Sequence, residues 1–309
     1  MNYALQAGQT LSENLRRIAG EQITLAHAAL RAYPQDPEGV HEARKCLKRL
    51  RALLRLAREP LGESYAQKNV ALRDLAHGLA GLRDLESLLE LLPVLRKSAP
   101  KVLTRAGLAR LREALHSSVL PPEKMQEQVE QTSTALQAAA ERIAAWPTLP
   151  DDAETLVAGA ARTYRSARRR MRDAFTEPSP DSFHEWRKQV KHHGYQLRVL
   201  QPLWPKFIGA QEKLMDELAE ALGEEHDAGL LHQKLTGELG ETLRPGSRLC
   251  WQTICAQFQD VRRERARLLG ARAFAEGRGA FARRLTASYE SWRAHDKPLP
   301  QWPATASSH

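Results

Sequence analysis

Two stretches of the sequence each combine one histidine with a series of arginines and lysines at helical spacing. His41 opens the first stretch, and His184 opens the second 143 positions later. On an α-helix with about 100° between residues, the basic side chains of each stretch fall on one arc and apolar side chains lie opposite. The two cationic arcs contain His41, Arg44, Lys45, Lys48 and Arg55, and His184, Arg187, Lys188, Lys191 and Arg198. Each stretch therefore predicts an amphipathic helix with one apolar and one cationic face.

The cationic face of the first stretch has little acidic charge to balance it. From Val40 to Arg58 there are seven basic residues and one acid, Glu42. Basic side chains spaced by one turn rise about 5 Å per step along one line, which suits a repeating polyanion. Arginine offers a planar fork of donors and lysine a point charge, so the two types together can hold oxygens at varied angles. A solvated charged face without a ligand is the alternative that these residues leave open.

Other candidate groups favour binding over catalysis. A single helical histidine is commonly a packed or surface residue, but its recurrence at the start of both stretches favours a ligand-binding role. His192 and His193 are adjacent, with no Cys or acidic cluster at zinc-ligand spacing, so we predict no metal and no cofactor. The sequence has no GxSxG, Walker A or Gly-rich nucleotide motif. Asp84 and Asp227 are expected at helix starts, where they would cap the helix or orient a neighbouring cation.

Further arginines cluster outside the two stretches. Arg162, Arg165 and Arg169 share one helical face and could contact the same anion. The remaining arginines of these clusters are interpreted as solvated surface: Arg168, Arg170, Arg172, Arg262, Arg263, Arg265 and Arg267.

The composition favours anionic partners and a reducing compartment. Lys and Arg number 46 against 37 Asp and Glu, giving a net charge of +9, although a charge of this size also fits a protein that is merely kept soluble. Cys46, Cys250 and Cys255 form no CxxC pair. No apolar run approaches the roughly 20 residues of a membrane span, and the N-terminus lacks the pattern of a signal peptide. We expect a soluble, cytoplasmic protein that does not contact membranes.

Apolar residues at three- and four-residue spacing predict an all-α protein. Helices are expected at about 9–32, 37–58, 62–80, 84–97, 102–118, 122–145, 153–175, 180–200, 206–222, 227–238, 247–269 and 272–294. Asp36-Pro37-Glu38 matches Ser179-Pro180-Asp181, each predicting an N-cap followed by proline at the first helical position. We therefore predict an internal duplication with two pseudo-symmetric helical bundles, in residues 1–148 and 149–296, and a disordered tail at 297–309.

The repeated motif resembles the CHAD domain, the conserved histidine α-helical domain. The resemblance rests on Asp36-Pro37-Glu38, Val40-His41, Arg44, Lys48-Arg49 and Arg51, and on Phe183-His184-Glu185-Trp186-Arg187-Lys188, Lys191 and Tyr195-Gln196-Leu197. Residues 159–168 and the pairs Arg83-Asp84 and His226-Asp227 are similar to further motifs of that family. The resemblance implies two helical bundles around a central basic pore or groove that binds inorganic polyphosphate, often at polyphosphate granules.

The resemblance also implies which residues contact polyphosphate. They are His41, Arg44, Lys45, Lys48, Arg51, Arg55, Arg162, Arg165, His184, Arg187, Lys188, Lys191 and Arg198. The second stretch has His192 and Gly194 where the first has Arg49 and Arg51, so its side of the site is expected to carry less charge at neutral pH. Some relatives are fused to a triphosphate tunnel enzyme, whose ExExK motif this sequence lacks, so hydrolase activity would have to come from a partner.

The expected function is non-catalytic binding of inorganic polyphosphate, with association to polyphosphate granules. One alternative is binding of nucleic-acid backbones. The cationic faces lack interleaved aromatics for base stacking and an Asn/Gln pair for base edges, which disfavours it. The other alternative, less favoured, is a phosphohydrolase that depends on Asp84 and Asp227.

Overall fold

The computed structural model describes residues 3–36, 38–117, 121–144 and 146–295, leaving aside the side chains of residues 80–84, 122, 140–142 and 144. Within these ranges every element of regular secondary structure is a helix, which confirms the all-α class. The first helices are α1 (Leu11–Arg31), α2 (Glu38–Leu56), α3 (Arg58–Leu61), α4 (Ser64–Gly78), α5 (Ala80–Ser98), α6 (Arg105–Ser117) and α7 (Pro122–Ala144). They are followed by α8 (Ala153–Thr176), α9 (Pro180–Leu200), a 3-10 turn (Gln201–Leu203), α10 (Pro205–Thr236), α11 (Glu238–Glu241), α12 (Pro245–Ala273) and α13 (Arg278–His295). The predicted disordered tail at 297–309 lies outside the described residues.

The start of α9 follows the sequence prediction. The Ser179 hydroxyl accepts a hydrogen bond from the backbone N–H of Ser182, and Pro180 occupies the first turn. Before α2, the Asp36 carboxylate accepts a hydrogen bond at 3.1 Å from the N–H of Glu38, while Pro37 lies outside the described residues. Both basic helices are therefore preceded by a polar side chain that satisfies an otherwise unpaired donor.

Two predicted helix breaks are wrong. The helices expected at 206–222 and 227–238 are joined in one continuous helix, α10, which runs through Gly223 and ends at Thr236. Asp227 consequently lies inside a helix rather than at a helix start, and the side chain of Asp84 lies outside the described residues. Gly270 lies inside α12, where an added Cβ would come within 2.8 Å of both Met171 and Trp186. This glycine permits a close helix crossing and does not end the helix.

The apolar faces of α2 and α9 form part of one core. α2 packs against α1, α4 and α9, and α9 packs against α8 and α10. The apolar side chains predicted to face inward are buried: Ala43, Cys46, Leu47, Leu50, Leu53, Leu54, Ala57, Trp186, Val190, Leu197 and Leu200. Where the two helices cross, the Gln196 amide donates a hydrogen bond at 3.2 Å to the Ala52 carbonyl. The cationic faces are thereby held next to each other by buried contacts on both helices.

The α8 helix lies directly on the C-terminal end of α2. An added Cβ at Gly159 would be 2.4 Å from the Leu56 carbonyl oxygen, so only glycine permits this approach. One turn later, Arg162 pairs with Glu59 in α3. The crossing brings the arginine-rich face of α8 to the end of the basic face of α2.

The described side chains form two hydrophobic clusters. The larger cluster contains residues of both basic helices, such as Leu47 and Trp186. The smaller cluster joins α5 and α6 to α10 and α12, for example through Leu88 and Trp251. Both clusters include residues from either side of the boundary between 148 and 149. The two-domain division and the internal duplication stay predictions.

Candidate anion-binding site

The cationic faces of α2 and α9 lie half-buried rather than fully solvated. On α2 this applies to His41, Arg44, Lys45, Lys48, Arg51 and Arg55, and on α9 to His184, Arg187, Lys188, Lys191 and Arg198. Partial burial reduces screening by water, so like charges repel more strongly than on an open surface. An anion bound between these faces would relieve that repulsion.

The two faces meet around His192, a residue for which the sequence indicated no clear role. His192 is 5% exposed, and its Nδ1 atom has no hydrogen-bond partner among the described residues. Burial lowers the pKa of His192 well below its ordinary value, and the nearby positive charges lower it further. Those charges belong to Arg55, Arg51, Lys188 and Lys48, so both helices contribute. The ring is neutral at physiological pH.

Arg51 and Arg55 share a neutral partner. The Asn69 side-chain oxygen in α4 accepts hydrogen bonds from Arg51 Nε at 3.3 Å and from Arg55 Nη1 at 3.1 Å. Burial lowers the pKa of both arginines, and the charge of Arg55 helps to lower that of Arg51 to about 10. Within the described part of the chain, no carboxylate forms a salt bridge with either side chain. These guanidinium groups remain able to bind an anion.

Arg198 has a different environment. Its Nε atom lies 2.6 Å from Glu212 Oε1, and its Nη2 atom lies 3.2 Å from Asp216 Oδ2. Burial acts to lower the pKa of Arg198, but the hydrogen bond to Glu212 and the two negative charges raise it. Its role as a ligand contact stays a prediction, and its charge is already balanced by two acids.

Lys45 and Lys188 have matching partners one turn earlier in their helices. Lys45 Nζ lies 2.7 Å from Glu42, and Lys188 Nζ lies 2.5 Å from Glu185. All four side chains are more than one third exposed, so each pair contributes at most about 1 kcal/mol. A phosphate could replace either glutamate at little energetic cost.

Arg44 and Arg187 extend toward α4, α5 and α10. Arg44 donates a hydrogen bond to the Leu79 carbonyl between α4 and α5. An added Cβ at Gly223 in α10 would be 3.3 Å from Arg187 Nη2. The ring centroid of His184 lies 4.9 Å from that of His226. Burial lowers the pKa of His184, and the neighbouring His226, Lys188 and Arg187 lower it further.

His193 belongs to the core. Its ring lies 5.4 Å from Tyr164 and 5.5 Å from Phe281, and burial lowers its pKa to about 3. Although adjacent in sequence, His192 and His193 face different surroundings, because neighbouring residues on a helix point about 100° apart.

The arginine face of α8 lies beside the α2–α9 site. Arg162 is half-buried and pairs with Glu59, whereas Arg165 is exposed. Both line a groove of about 1000 Å³ between α8 and the C-terminal part of α12. The groove is also lined by Arg168, Arg172 and Arg267, which are exposed, as the interpretation of these three as surface residues expects. Arg170, by contrast, lies 3.6 Å from Asp173 and does not line the groove.

Two further observations concern the described residues alone. None of their helices is long and apolar enough to cross a membrane. Among them, no group of three His, Cys, Asp or Glu side chains is arranged to hold a metal ion.

Comparisons with known proteins identify a family and two solved structures that this chain resembles. A family model described as the CHAD domain matches residues 15–236, a range that contains the whole α2–α9 site. The structure is similar to that of PptA from Streptomyces chartreusis, with a TM-score of 0.56 and 17% identity, covering 87% of this chain and 100% of that chain. It is also similar to the CHAD domain from the plant Ricinus communis, with a TM-score of 0.49 and 18% identity, covering 86% of this chain and 93% of that chain. The likeness to PptA concerns the fold. A comparison with curated proteins finds no match.

Proposed function

Because the chain belongs to the CHAD domain family, we propose that it binds inorganic polyphosphate, without hydrolysing it, between the cationic faces of α2 and α9. The observation that carries this proposal is the meeting of charges from both helices around His192. Lys48, Arg51 and Arg55 approach it from α2, and Lys188 approaches it from α9. A linear polyanion fits this arrangement because its charges repeat along its length, as the basic side chains do along each helix.

Electrostatics provides most of the expected affinity. Arg51 and Arg55 are partly desolvated and repel each other, and negative phosphate oxygens would stabilise both charges. Arginine can bind two phosphate oxygens at once, while Lys48, Lys188 and Lys191 add charges that can adjust their position. Neutralised phosphates also release counterions, an effect that was established for nucleic acids and applies to polyphosphate by analogy. Affinity should therefore fall steeply with salt and rise with chain length.

The proposed cellular setting is the cytoplasm, at polyphosphate granules. A granule presents many phosphate chains at high local concentration, so weak individual contacts would add up to stable attachment. Association of a fluorescently tagged chain with granules, and its loss in a variant that cannot bind polyphosphate in solution, would test this part of the proposal.

A charge-reversal variant tests the site. We expect Lys48→Glu/Lys191→Glu to weaken polyphosphate binding by at least about 30-fold at low salt, because each reversal replaces an attraction with a repulsion. Lys97→Glu/Lys206→Glu makes the same change in net charge at exposed positions on α5 and α10 and should have a much smaller effect. Circular dichroism of both variants checks that helicity is retained. Equal losses in the two variants would contradict the proposed site.

Competition and turnover assays separate the alternatives. Bound single-stranded DNA should be displaced by polyphosphate at matched phosphate concentration, and failure to displace it would favour a nucleic-acid binder. We expect no phosphate release from polyphosphate in the presence of Mg²⁺. Release that disappears in an Asp84→Asn/Asp227→Asn variant would instead support a phosphohydrolase.

A further inference from the structure

The groove between α8 and α12 has an unusual concentration of arginines. Five of them come from α8, namely Arg162, Arg165, Arg168, Arg169 and Arg172. Arg58 from α3 and Arg267 from α12 complete the set, and no acidic residue lines the groove in the described part of the chain. A groove of about 1000 Å³ with this lining attracts anions.

Most of these arginines form no salt bridge with another described residue. Arg162 pairs with Glu59, and Arg267 lies 2.6 Å from Glu264. Among the described residues, no carboxylate forms a salt bridge with the other α8 arginines of the groove: Arg165, Arg168, Arg169 and Arg172. Basic residues on a solvated helix face are usually balanced by acids one turn away, but the one acid that follows these arginines on α8, Asp173, pairs with Arg170. The excess of positive charge therefore favours an anionic ligand.

The floor of the groove gives information about the kind of anion. It contains Met171, Phe175 and Phe274. Phe274 is 4% exposed and packs edge-on against Tyr164, while Phe175 packs edge-on against Phe183. Both rings already contact aromatic residues of the core, and the described lining of the groove contains neither Tyr nor Trp on which a nucleobase could stack. The groove therefore favours a ligand made of phosphates alone.

The groove begins where the basic face of α2 ends. Arg58 lines the groove, and its charge contributes to lowering the pKa of Arg55 in the α2–α9 site. The close approach of Gly159 to Leu56 fixes α8 at this end of α2. The helical rise gives each basic face a length of about 15 Å, from Arg44 to Arg55 on α2 and from Arg162 to Arg172 on α8.

We infer that the α8–α12 groove is a second phosphate-binding segment, which holds the continuation of a long polyphosphate chain beyond the α2–α9 site. This inference rests on the proposed function of that site. Short polyphosphates would occupy the α2–α9 site alone, and chains long enough to pass Arg58 would gain the arginines of the groove. The groove thus gives the protein a preference for long chains.

The test compares chain lengths in two matched variants. Arg168→Ala/Arg169→Ala/Arg172→Ala removes three exposed groove arginines, and Arg170→Ala/Arg265→Ala/Arg283→Ala removes three positive charges that do not line it. Affinities for tripolyphosphate and for long-chain polyphosphate are measured by titration at several salt concentrations. We expect the groove variant to bind long chains at least about tenfold more weakly than the control variant, with a shallower salt dependence. Both should bind tripolyphosphate within about twofold of the unmodified protein.

The possible outcomes separate this inference from the proposed function. Equal long-chain affinities in the two triple variants would overturn the inference and leave the α2–α9 site standing. An equal loss for tripolyphosphate and long chains would also overturn it, because the groove would then not act as an extension. Loss of single-stranded DNA binding without loss of polyphosphate binding would assign the groove to nucleic acid. The proposed function itself fails if Lys48→Glu/Lys191→Glu binds tripolyphosphate normally.

Discussion

Arg55 on α2 and Arg198 on α9 occupy corresponding positions in two similar basic helices, but their partners differ. Each bonds to a side chain 14 residues later in the sequence. For Arg55 that residue is Asn69, a neutral amide, whereas for Arg198 it is Glu212, which acts together with Asp216. Among the described residues no carboxylate forms a salt bridge with Arg55, whereas the charge of Arg198 is balanced by two acids. Residues that match in a repeated motif need not contribute equally to binding.

Among the tests of this difference between the two faces, the largest expected effect comes from removing the α2 arginines. Arg51→Gln/Arg55→Gln should lower polyphosphate affinity by at least about tenfold, whereas Arg198→Gln should change it by less than about threefold, because the charge of Arg198 is already paired. Titration at one salt concentration measures both. Arg31→Gln/Arg49→Gln serves as a control, since Arg31 is exposed and Arg49 bonds to Gln22 outside the site. A loss with Arg198→Gln as large as with the double variant would contradict the difference between the faces.

A single substitution should make the α2 face resemble the α9 face. Asn69→Asp introduces a carboxylate within hydrogen-bonding distance of Arg51 and Arg55. We expect polyphosphate affinity to fall about fivefold and the free energy of unfolding to rise by about 1 kcal/mol, because the new acid pairs with two half-buried cations. Binding titration and urea denaturation check these two changes. Asn69→Ser, which adds no charge, is the control, and lower affinity without higher stability would mean that the substitution acts by distorting α4.

The reverse change should strengthen the α9 face. Glu212→Gln/Asp216→Asn leaves Arg198 without its acidic partners, and we expect affinity to rise about threefold at low salt. The control variant is Glu217→Gln/Glu220→Gln, which removes two negative charges at exposed positions. It shows how much of the change in affinity comes from the higher net charge alone. If both variants bind polyphosphate equally well, the pairing of Arg198 does not limit the contribution of α9.

A further prediction concerns pH and the stability of the fold rather than the affinity for polyphosphate. The pKa values of His192 and His193 both lie below the ordinary value of 6.5, so the unfolded chain takes up protons that the folded chain excludes. Stability should be complete above about pH 6.5 and fall as the pH drops toward 3. Urea denaturation should show a loss of about 1 to 2 kcal/mol per buried histidine between pH 7 and 5. His193→Gln should reduce that loss, and an unchanged pH dependence would contradict the burial argument.

Of the two buried histidines, polyphosphate should change the pH dependence of stability through His192 and not through His193. Phosphate charge next to its ring would raise the pKa of His192, so saturating polyphosphate should reduce the destabilisation at acid pH. The same reduction is expected in His193→Gln, because His193 lies in the core away from the site. If polyphosphate no longer reduces the acid destabilisation in His193→Gln, its effect on stability does not come from His192.

Much of the fold followed from the sequence because it depends on local patterns. The buried faces of α2 and α9 and the N-cap at Ser179 are fixed by periodicity and by residue type at a helix start. The break expected near residues 223–226 was wrong, although the corresponding part of the first half does contain one. There Leu79 interrupts the helix, with φ −103 and ψ 14, while α10 continues through Gly223. The local sequence pattern did not distinguish the interrupted helix at Leu79 from the continuous helix at Gly223.

Parts of the site depend on contacts between distant segments. The position of His192 among Arg51 and Arg55 arises from the crossing of two helices, which periodicity within one helix cannot predict. The acids beside Arg198 could have been found, because Glu212 stands at the position that corresponds to Asn69. Arg267 and the α8 arginines are far apart in sequence, so their shared groove required the packing of α12 on α8.

The most direct test of the account is whether polyphosphate changes the side-chain resonances of specific histidines. Nuclear magnetic resonance of the imidazole nitrogens, assigned with His184→Gln, His192→Gln and His193→Gln, reports on the site and on the core in one experiment. The account predicts that polyphosphate shifts the His192 and His184 signals and raises the pKa of His192, while the His193 signal stays unchanged. Unchanged His192 and His184 signals at saturating polyphosphate would contradict binding between the cationic faces of α2 and α9.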